Sequence, residues 1–255
     1  IEKEKRLDSN AMLELIHLTG MEKSLKMQYK NAENVSARIR LHKEYSINKQ
    51  GWFPWIYEQG ILPYLNKKKS NISILELGCG DGSLWKETIH YLPSNVHITV
   101  SDISEGMIRD VRRNLGSDNC HFTFETFDCH HIPYETDSFD LVIANHLLFY
   151  CDDIPQVCSE AKRVLKPQGI FICSTYGSHH MKEITALVQE FDSRIVLSAK
   201  NLYERFGLEN GKQILEHHFS SIETILYEDA IEINEAEPLI EYILSCHGNQ
   251  NQYLF

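Results

Sequence analysis

The sequence predicts an α/β protein, a mostly parallel, doubly wound sheet with an N-terminal helical lid. Three observations predict it. β-rich and helix-patterned runs alternate five times between residues 72 and 174 at the spacing of βαβ units. The first β-rich run ends in a cluster of glycines that opens a helix. Residues 12–70 read differently, with helical spacing, few breakers and a charge of opposite sign.

The elements follow in order. Residues 1–11 read as a tail, and Ser9-Asn10-Ala11 before Met12 resembles a cloning remnant. Residues 12–50 carry apolar positions at mixed spacings of three and four, which predicts helix. Gly51-Trp52-Phe53-Pro54-Trp55 interrupts them, residues 55–65 give a second short helix, and a charged linker leads to residue 71. Ile72–Leu77 is an apolar run entering a turn, as a buried strand does. Leu84–Leu92 is helical, Val96–Val100 is the second strand, and Gly106–Asn114 the next helix. His121–Phe124 and Phe139–Ala144 are the third and fourth strands. Ile154–Leu165 is a helix stopped by Pro167 and Gly169, and Ile170–Ser174 is the fifth strand. Residues 181–218 are helix-rich, Ile222–Tyr227 reads as a sixth strand, and Pro238–Ser245 as a last helix.

Composition bounds the function. At 255 residues, with 42% apolar and 24% charged residues, the chain is globular, one large domain or a domain with an added lobe. No run reaches the ~18 apolar residues of a spanning helix, and the charged start lacks a signal-peptide pattern. Seven widely spaced cysteines without C-x-x-C argue against a disulfide framework, so a cytoplasmic setting is expected. The net charge of −11 disfavours nucleic acid as a partner. That charge is uneven: residues 1–70 carry +5 and residues 71–255 carry −16. Either the two surfaces are solvated independently, or a basic lobe faces an anionic group or docks onto the acidic domain. The stretch Glu223–Glu241, with seven acids and no base, reads as a solvated face. The paired histidines 130–131, 179–180 and 217–218 lack ligand spacing, so no metal site is expected.

The chemistry-bearing signal is Glu76-Leu77-Gly78-Cys79-Gly80-Asp81-Gly82, directly after the first strand. Glycines permit a tight turn and let a ligand approach the main chain, and strand, glycine loop, helix is the geometry that nucleotide-like cofactors use. Ser83 stands where the dinucleotide fingerprint G-x-G-x-x-G wants glycine. Asp102 follows the second strand, where a carboxylate can accept from both hydroxyls of a ribose.

These motifs continue with Ser101-Asp102-Ile103-Ser104-Glu105-Gly106-Met107, Asp128-Cys129-His130-His131-Ile132-Pro133-Tyr134, Ser138-Phe139-Asp140-Leu141-Val142 and Val164-Leu165-Lys166-Pro167-Gln168-Gly169. In that order and spacing the chain resembles the class I S-adenosylmethionine-dependent methyltransferases, of the small-molecule type that includes quinone-biosynthesis enzymes. The resemblance implies a Rossmann-like fold and S-adenosyl-L-methionine as cofactor. It puts Glu76 at the methionyl amino end, and the main chain of Gly78, Cys79 and Gly80 against the methionyl and ribose groups. It puts Asp102 on the ribose and Ile103 and Met107 around the adenine. Asp128 would accept from the adenine amine, the Cys129 amide would donate to the ring, and Asn145 would lie beside the methionine part. Residues 38–55 resemble a segment that folds over the cofactor, with Tyr45 the covering residue. Gln168 departs from the glycine usual in the family, and His146–Tyr150 replaces an acid-containing end.

The expected reaction is methyl transfer to a small-molecule acceptor. His146, beyond the fourth strand at the carboxyl edge of the sheet, is the expected base, or else it merely packs under the lid; Tyr150 would orient the acceptor. Two other classes share these motifs in part: a cofactor-binding protein without catalysis, and a nicotinamide-dependent oxidoreductase, against which the glycine spacing and Asp128–Tyr134 speak. The acceptor and oligomeric state are not encoded in any motif. Members of the family usually end with an antiparallel strand beside the fifth. Here either that strand is absent or residues 229–233 fill its place after a tight turn; Glu228-Asp229 makes a poor hairpin without glycine, so absence is expected.

Overall fold

The computed structural model describes residues 33–68, 70–117, 119–198, 201–246 and 248–253. The expected tail and the first part of the lid, residues 12–32, lie outside the described residues.

Five strands form one parallel sheet in the order β3-β2-β1-β4-β5: β1 Ile72–Leu77, β2 Val96–Asp102, β3 Phe122–Thr126, β4 Phe139–Ala144 and β5 Leu165–Cys173. The strand period of two sorts the central side chains. Ile72 and Ile74 of β1 and Leu141 and Ile143 of β4 enter one apolar cluster, with Trp85 and Val111. Leu75 and Leu77, with Val142 and Ala144, enter the other, with Val157 and Cys158. Both faces are covered, which is why these strands read as continuous apolar runs. The covering helices are α4 Ser83–Thr88 and α5 Glu105–Leu115 on the first face and α6 Ile154–Val164 on the second. Ser104 caps α5 by accepting from the Met107 amide, and Asp153 caps α6 by accepting from the Gln156 amide.

The lid is α1 Glu33–Tyr45, α2 Trp52–Ile56, a π-helical turn Tyr57–Ile61 and α3 Leu62–Leu65. The expected break shrinks to Gly51 (φ +80°), because Pro54 sits in the first turn of α2, where its missing N–H is not required. Asp140 anchors the lid's end to the sheet. It accepts from Lys166 Nζ at 2.7 Å, the Ser73 amide at 3.0 Å and Lys68. Burial raises its pKa, and Lys166 and Lys68 overcome that, so the carboxyl stays below its ordinary range.

After β5 come α7 Lys182–Phe191, α8 Leu202–Arg205, α9 Gly211–Glu216 and α10 Ala236–Leu244. The expected sixth strand, Ile222–Tyr227, is not one. Its residues form no ladder, and its last ring packs against Trp52 and Trp55 at 5.3 and 5.2 Å. Among the described residues the sheet ends at β5, and residues 229–233 do not extend it. They pair with the lid instead: Ser46 bridges Ile231, and the Ile47 amide donates to Ala230 O at 2.8 Å. Leu41 shares a cluster with Tyr242 and Ile243 of α10, and Arg40 pairs with Glu241. The acidic stretch is therefore partly a docking strip for the lid, which both ends of the described chain build.

One departure from the resemblance has a visible backbone consequence. Gln168 lies at φ +67°, inside an irregular stretch where the β4–β5 register shifts between Phe139 and Leu141. The left-handed conformation is where glycine costs least.

Candidate functional site

The carboxyl ends of β1, β2, β4 and β5 open into a cleft of about 2500 Å³ beneath the lid. Its walls include Glu76, Gly78, Cys79, Gly80, Asp102, Ile103, Met107, Asp128, Cys129, Asn145, His146 and Tyr150. Pockets for one small ligand run to ~300–1,000 Å³, so this cleft has room for a second occupant beside a nucleoside-sized one.

The glycine loop is shaped for main-chain approach. Gly78 lies at φ +65°, where a side chain is strained, and a Cβ there would fall 2.7 Å from Leu147 Cδ1 and push that side chain aside. The Cys79 amide donates to Ser101 O at 2.9 Å, which pins the loop to β2. Asp102, at the end of β2, accepts from the Ser104 amide at 2.9 Å and the Gly80 amide at 3.2 Å. Among the described residues it has no cationic partner. Burial pushes its carboxyl up to about 6, against the amides of Ser104, Gly80 and Ile103. Glu76 is 2% exposed and accepts from Trp85 Nε1 at 2.6 Å. Burial pushes it up to about 8, so it carries a proton at neutral pH. Met107 is 1% exposed and Ile103 38%, so the two present unequal apolar surfaces to the cleft.

The loop after β3 adds Asp128, whose Oδ1 accepts from the His130 amide at 2.9 Å and meets His130 Nδ1 at 2.6 Å. Cys129 Sγ lies 3.7 Å from Cys151 Sγ. Beyond β4, Asn145 Oδ1 accepts from Ser174 Oγ at 2.6 Å and Trp52 Nε1 at 3.2 Å. Ser174 Oγ in turn accepts from the His146 amide at 2.9 Å. This network ties β4, β5 and the lid together at one point. In the sequence Trp52 stands in the aromatic run that interrupts the lid helices, where packing is the simpler role, and Ser174 ends the fifth β-rich run with no further signal.

Two expectations change. Tyr45 does not line the cleft. Its side chain packs in the cluster with Leu41, Tyr242 and Ile243, because the pairing of residues 45–47 with 230–232 turns it toward the C-terminal segment. His42 and Ser46 face the cleft instead. His146 does line it, at φ +51°, its ring 5.1 Å from Trp52 and 6.2 Å from Phe149. Burial, aided by His180 and His42, pushes its imidazole down to about 3. A general base works best with a pKa near the operating pH, and His146 in this setting is a neutral, weakly basic ring. Tyr150 stands beside Phe149, ring centroids 4.7 Å apart.

The arrangement fits a nucleoside bearing a charged aliphatic tail. A glycine cradle lies at Gly78, a half-buried carboxylate without a cationic partner among the described residues at Asp102, and an apolar slot at Ile103 and Met107. The remaining space, toward Trp52, His146, His180 and Tyr176, is aromatic and uncharged at its nearest rings.

Residues 75–173 match a protein-family model described as "Methyltransferase domain". The chain is 26% identical over 189 residues to malonyl-[acyl-carrier protein] O-methyltransferase of Bacillus anthracis, covering 72% of this chain and 69% of that one. It is 31% identical over 134 residues to the protein of the same name from Methylovorus sp., covering 49% of this chain and 44% of that one. Among solved structures, an S-adenosylmethionine-dependent methyltransferase from Aquifex aeolicus matches with a TM-score of 0.42 and 15% identity, over 56% of this chain and 84% of that one. Among the described residues no helix is long and apolar enough to cross a membrane.

Proposed function

We propose that this chain, whose residues 75–173 match a methyltransferase domain, is a class I S-adenosylmethionine-dependent methyltransferase that binds S-adenosyl-L-methionine across the β1, β2 and β3 ends of the cleft. The acceptor, a small or carrier-bound organic molecule, enters beneath the lid. The observation that carries the reading is the pairing of the Gly78–Gly80 cradle with the half-buried carboxylate of Asp102, which has no cationic partner among the described residues. A ribose supplies two further donors to this carboxylate beside its backbone amides.

When bound, the cofactor supplies a methyl group on a sulfonium, already a good leaving group. The chain's own residues supply position. Gly78 and Gly80 let the main chain close on the tail, Asp102 fixes the ribose, and Ile103 and Met107 hold the adenine with Asp128 and the Cys129 amide at its edge. Asn145, held by Ser174 and Trp52, borders the methionyl end. Glu76, protonated and bonded to Trp85, acts on that end as a neutral group. His146 and Tyr150 orient the acceptor, and the aromatic lid excludes water. Orientation alone can lower a barrier by ~7–11 kcal/mol. The weak basicity of His146 favours acceptors that need no proton removed by it.

The two malonyl-[acyl-carrier protein] O-methyltransferases to which the chain is similar support an oxygen acceptor on a carrier-bound or small acid. The test is methyl transfer from isotopically labelled cofactor to a metabolite pool and, separately, to a malonyl thioester. A labelled product identifies the acceptor. Binding of S-adenosylhomocysteine with no labelled product from either source would favour a binding protein without catalysis.

A further inference from the structure

We propose that Asp128, Cys129 and His130, joined by Cys151, form a site for a thiophilic divalent cation, of which zinc is the type, and that this ion and the cofactor exclude each other. The second half rests on the reading of Asp128 and Cys129 given above; the first does not.

One donor atom each from Asp128, Cys129 and His130 lies within 4.8 Å of the others. The fourth comes from a different loop and stands outside that group, next to Cys129 alone, so it swings in to complete the set. Cys151, after β4, brings its sulfur to 3.7 Å from Cys129 Sγ. Two thiolates bound at ~2.3 Å in tetrahedral zinc stand about 3.8 Å apart, so this sulfur pair already has the spacing of one edge of such a site. All four residues line the cleft, which gives an ion a path in. The donor set is sulfur, sulfur, nitrogen and oxygen. That set selects zinc and its soft neighbours over magnesium or calcium, which take oxygen ligands.

Local geometry keeps the donors together without the ion. The His130 amide bonds to Asp128 Oδ1, which closes a tight turn, and His130 Nδ1 lies 2.6 Å from the same oxygen. The ion replaces the proton between them, and the distance opens toward that of two ligands on one metal. The ring's proton moves to Nε2, which gives up its 3.3 Å contact with the Asp153 amide. Each cysteine releases its thiol proton to solvent on binding. The cost to the cofactor site is direct. Asp128 and Cys129 turn onto the metal, and the edge they offer to adenine is lost.

The experiment uses the full chain, reduced with a non-thiol phosphine. Zinc is titrated against a chromophoric chelator, and S-adenosylhomocysteine affinity is measured by calorimetry with and without zinc. The expected result is one tightly held zinc per chain, lost in Cys151→Ser and in His130→Gln. In the parent protein, zinc weakens S-adenosylhomocysteine binding at least tenfold. In Cys151→Ser, which still binds S-adenosylhomocysteine, it does not. Circular dichroism confirms that each variant is folded, and either variant alone suffices. No tightly held zinc in the parent, or zinc held equally by both variants, overturns the site. Zinc lost in the variants but without effect on S-adenosylhomocysteine overturns the exclusion. If S-adenosylhomocysteine fails to bind the metal-free parent, the cofactor reading fails, while the chelator titration still decides the metal site.

Discussion

Replacing Asp102 by alanine is the sharpest test of the cofactor site. The carboxylate accepts two backbone amides, at 2.9 and 3.2 Å, and has no counter-cation among the described residues. Two ribose hydroxyls would add two charge-assisted hydrogen bonds, each worth ~1.5–3 kcal/mol. Part of that is offset by holding the charge in a buried site, so a net loss of about 2–4 kcal/mol is expected, roughly 30- to 1,000-fold in the dissociation constant of S-adenosylhomocysteine. The fold should survive, because alanine also removes a buried charge that the protein holds at a cost. The pH dependence has a defined sign. In the free protein burial raises the carboxyl to about 6. Donor hydroxyls favour the ionised form, so binding lowers that value and releases a proton. Affinity should therefore rise with pH toward about 6 and level off above it, and this slope should vanish in Asp102→Ala. Calorimetry from pH 5 to 8 measures both. A folded Asp102→Ala that binds S-adenosylhomocysteine as well as the parent would refute the ribose assignment.

Further outcomes follow from single positions. Gly78→Ala should cost at least tenfold in S-adenosylhomocysteine affinity, since its Cβ would fall 2.7 Å from Leu147 Cδ1 at a φ of +65°; parent-like binding by equilibrium dialysis would remove the cradle. Gln168→Gly should raise stability by ~0.5–1 kcal/mol in urea unfolding, because a left-handed non-glycine residue costs ~1–2 kcal/mol and glycine's extra unfolded-state entropy returns part of it; an unchanged or lowered midpoint would show that the strain is relieved elsewhere. Hydrogen exchange should slow together at residues 45–55 and 229–233 when S-adenosylhomocysteine binds, since the two segments are hydrogen-bonded to each other; slowing at one alone would separate the C-terminal strip from the lid.

The central fold was legible because both faces of the sheet are buried. Strands such as Ile72–Leu77 and Phe139–Ala144 then read as unbroken apolar runs, and the breaks at Gly82 and Asp153 fall where α4 and α6 start. Ile222–Tyr227 misled for a related reason. Alternating β-branched residues describe a segment that can pair, and pairing needs a neighbour; here the nearest backbone partners of residues 230–232 are in the lid. Tyr45 and His42 lie three residues apart on one helix, and nothing in the sequence says which side of that helix faces the cleft. The long-range pairing of Ser46 with Ile231 decides it. His146 shows the same limit in electrostatics. Its position after β4 was readable, but its basicity depends on rings from three distant segments closing over it.

Glu76 brings fold and site into conflict in a measurable way. It lies on the face of β1 that carries Ile72 and Ile74, 2% exposed, where an apolar residue would suit the core better. Trp85 Nε1 satisfies one oxygen, and burial still raises the carboxyl to about 8. The unfolded chain titrates near the ordinary ~4.3. A raised folded value means the native state binds the proton more tightly, so stability is fully present below pH ~4.3 and falls as pH rises toward 8. Asp102 contributes in the same direction between about 4 and its folded value of about 6. Carboxylates stabilised by ion pairs, as Asp140 is, act oppositely and lose their contribution in acid. The sign specific to Glu76 is isolated by Glu76→Gln, which keeps an acceptor for Trp85 and cannot ionise. The parent should lose stability relative to the glutamine variant between pH 5 and 8, by a few kcal/mol, in urea unfolding of the free protein. Parallel stability curves across that range would mean that Glu76 is ionised in the folded state and meets the cofactor as an anion.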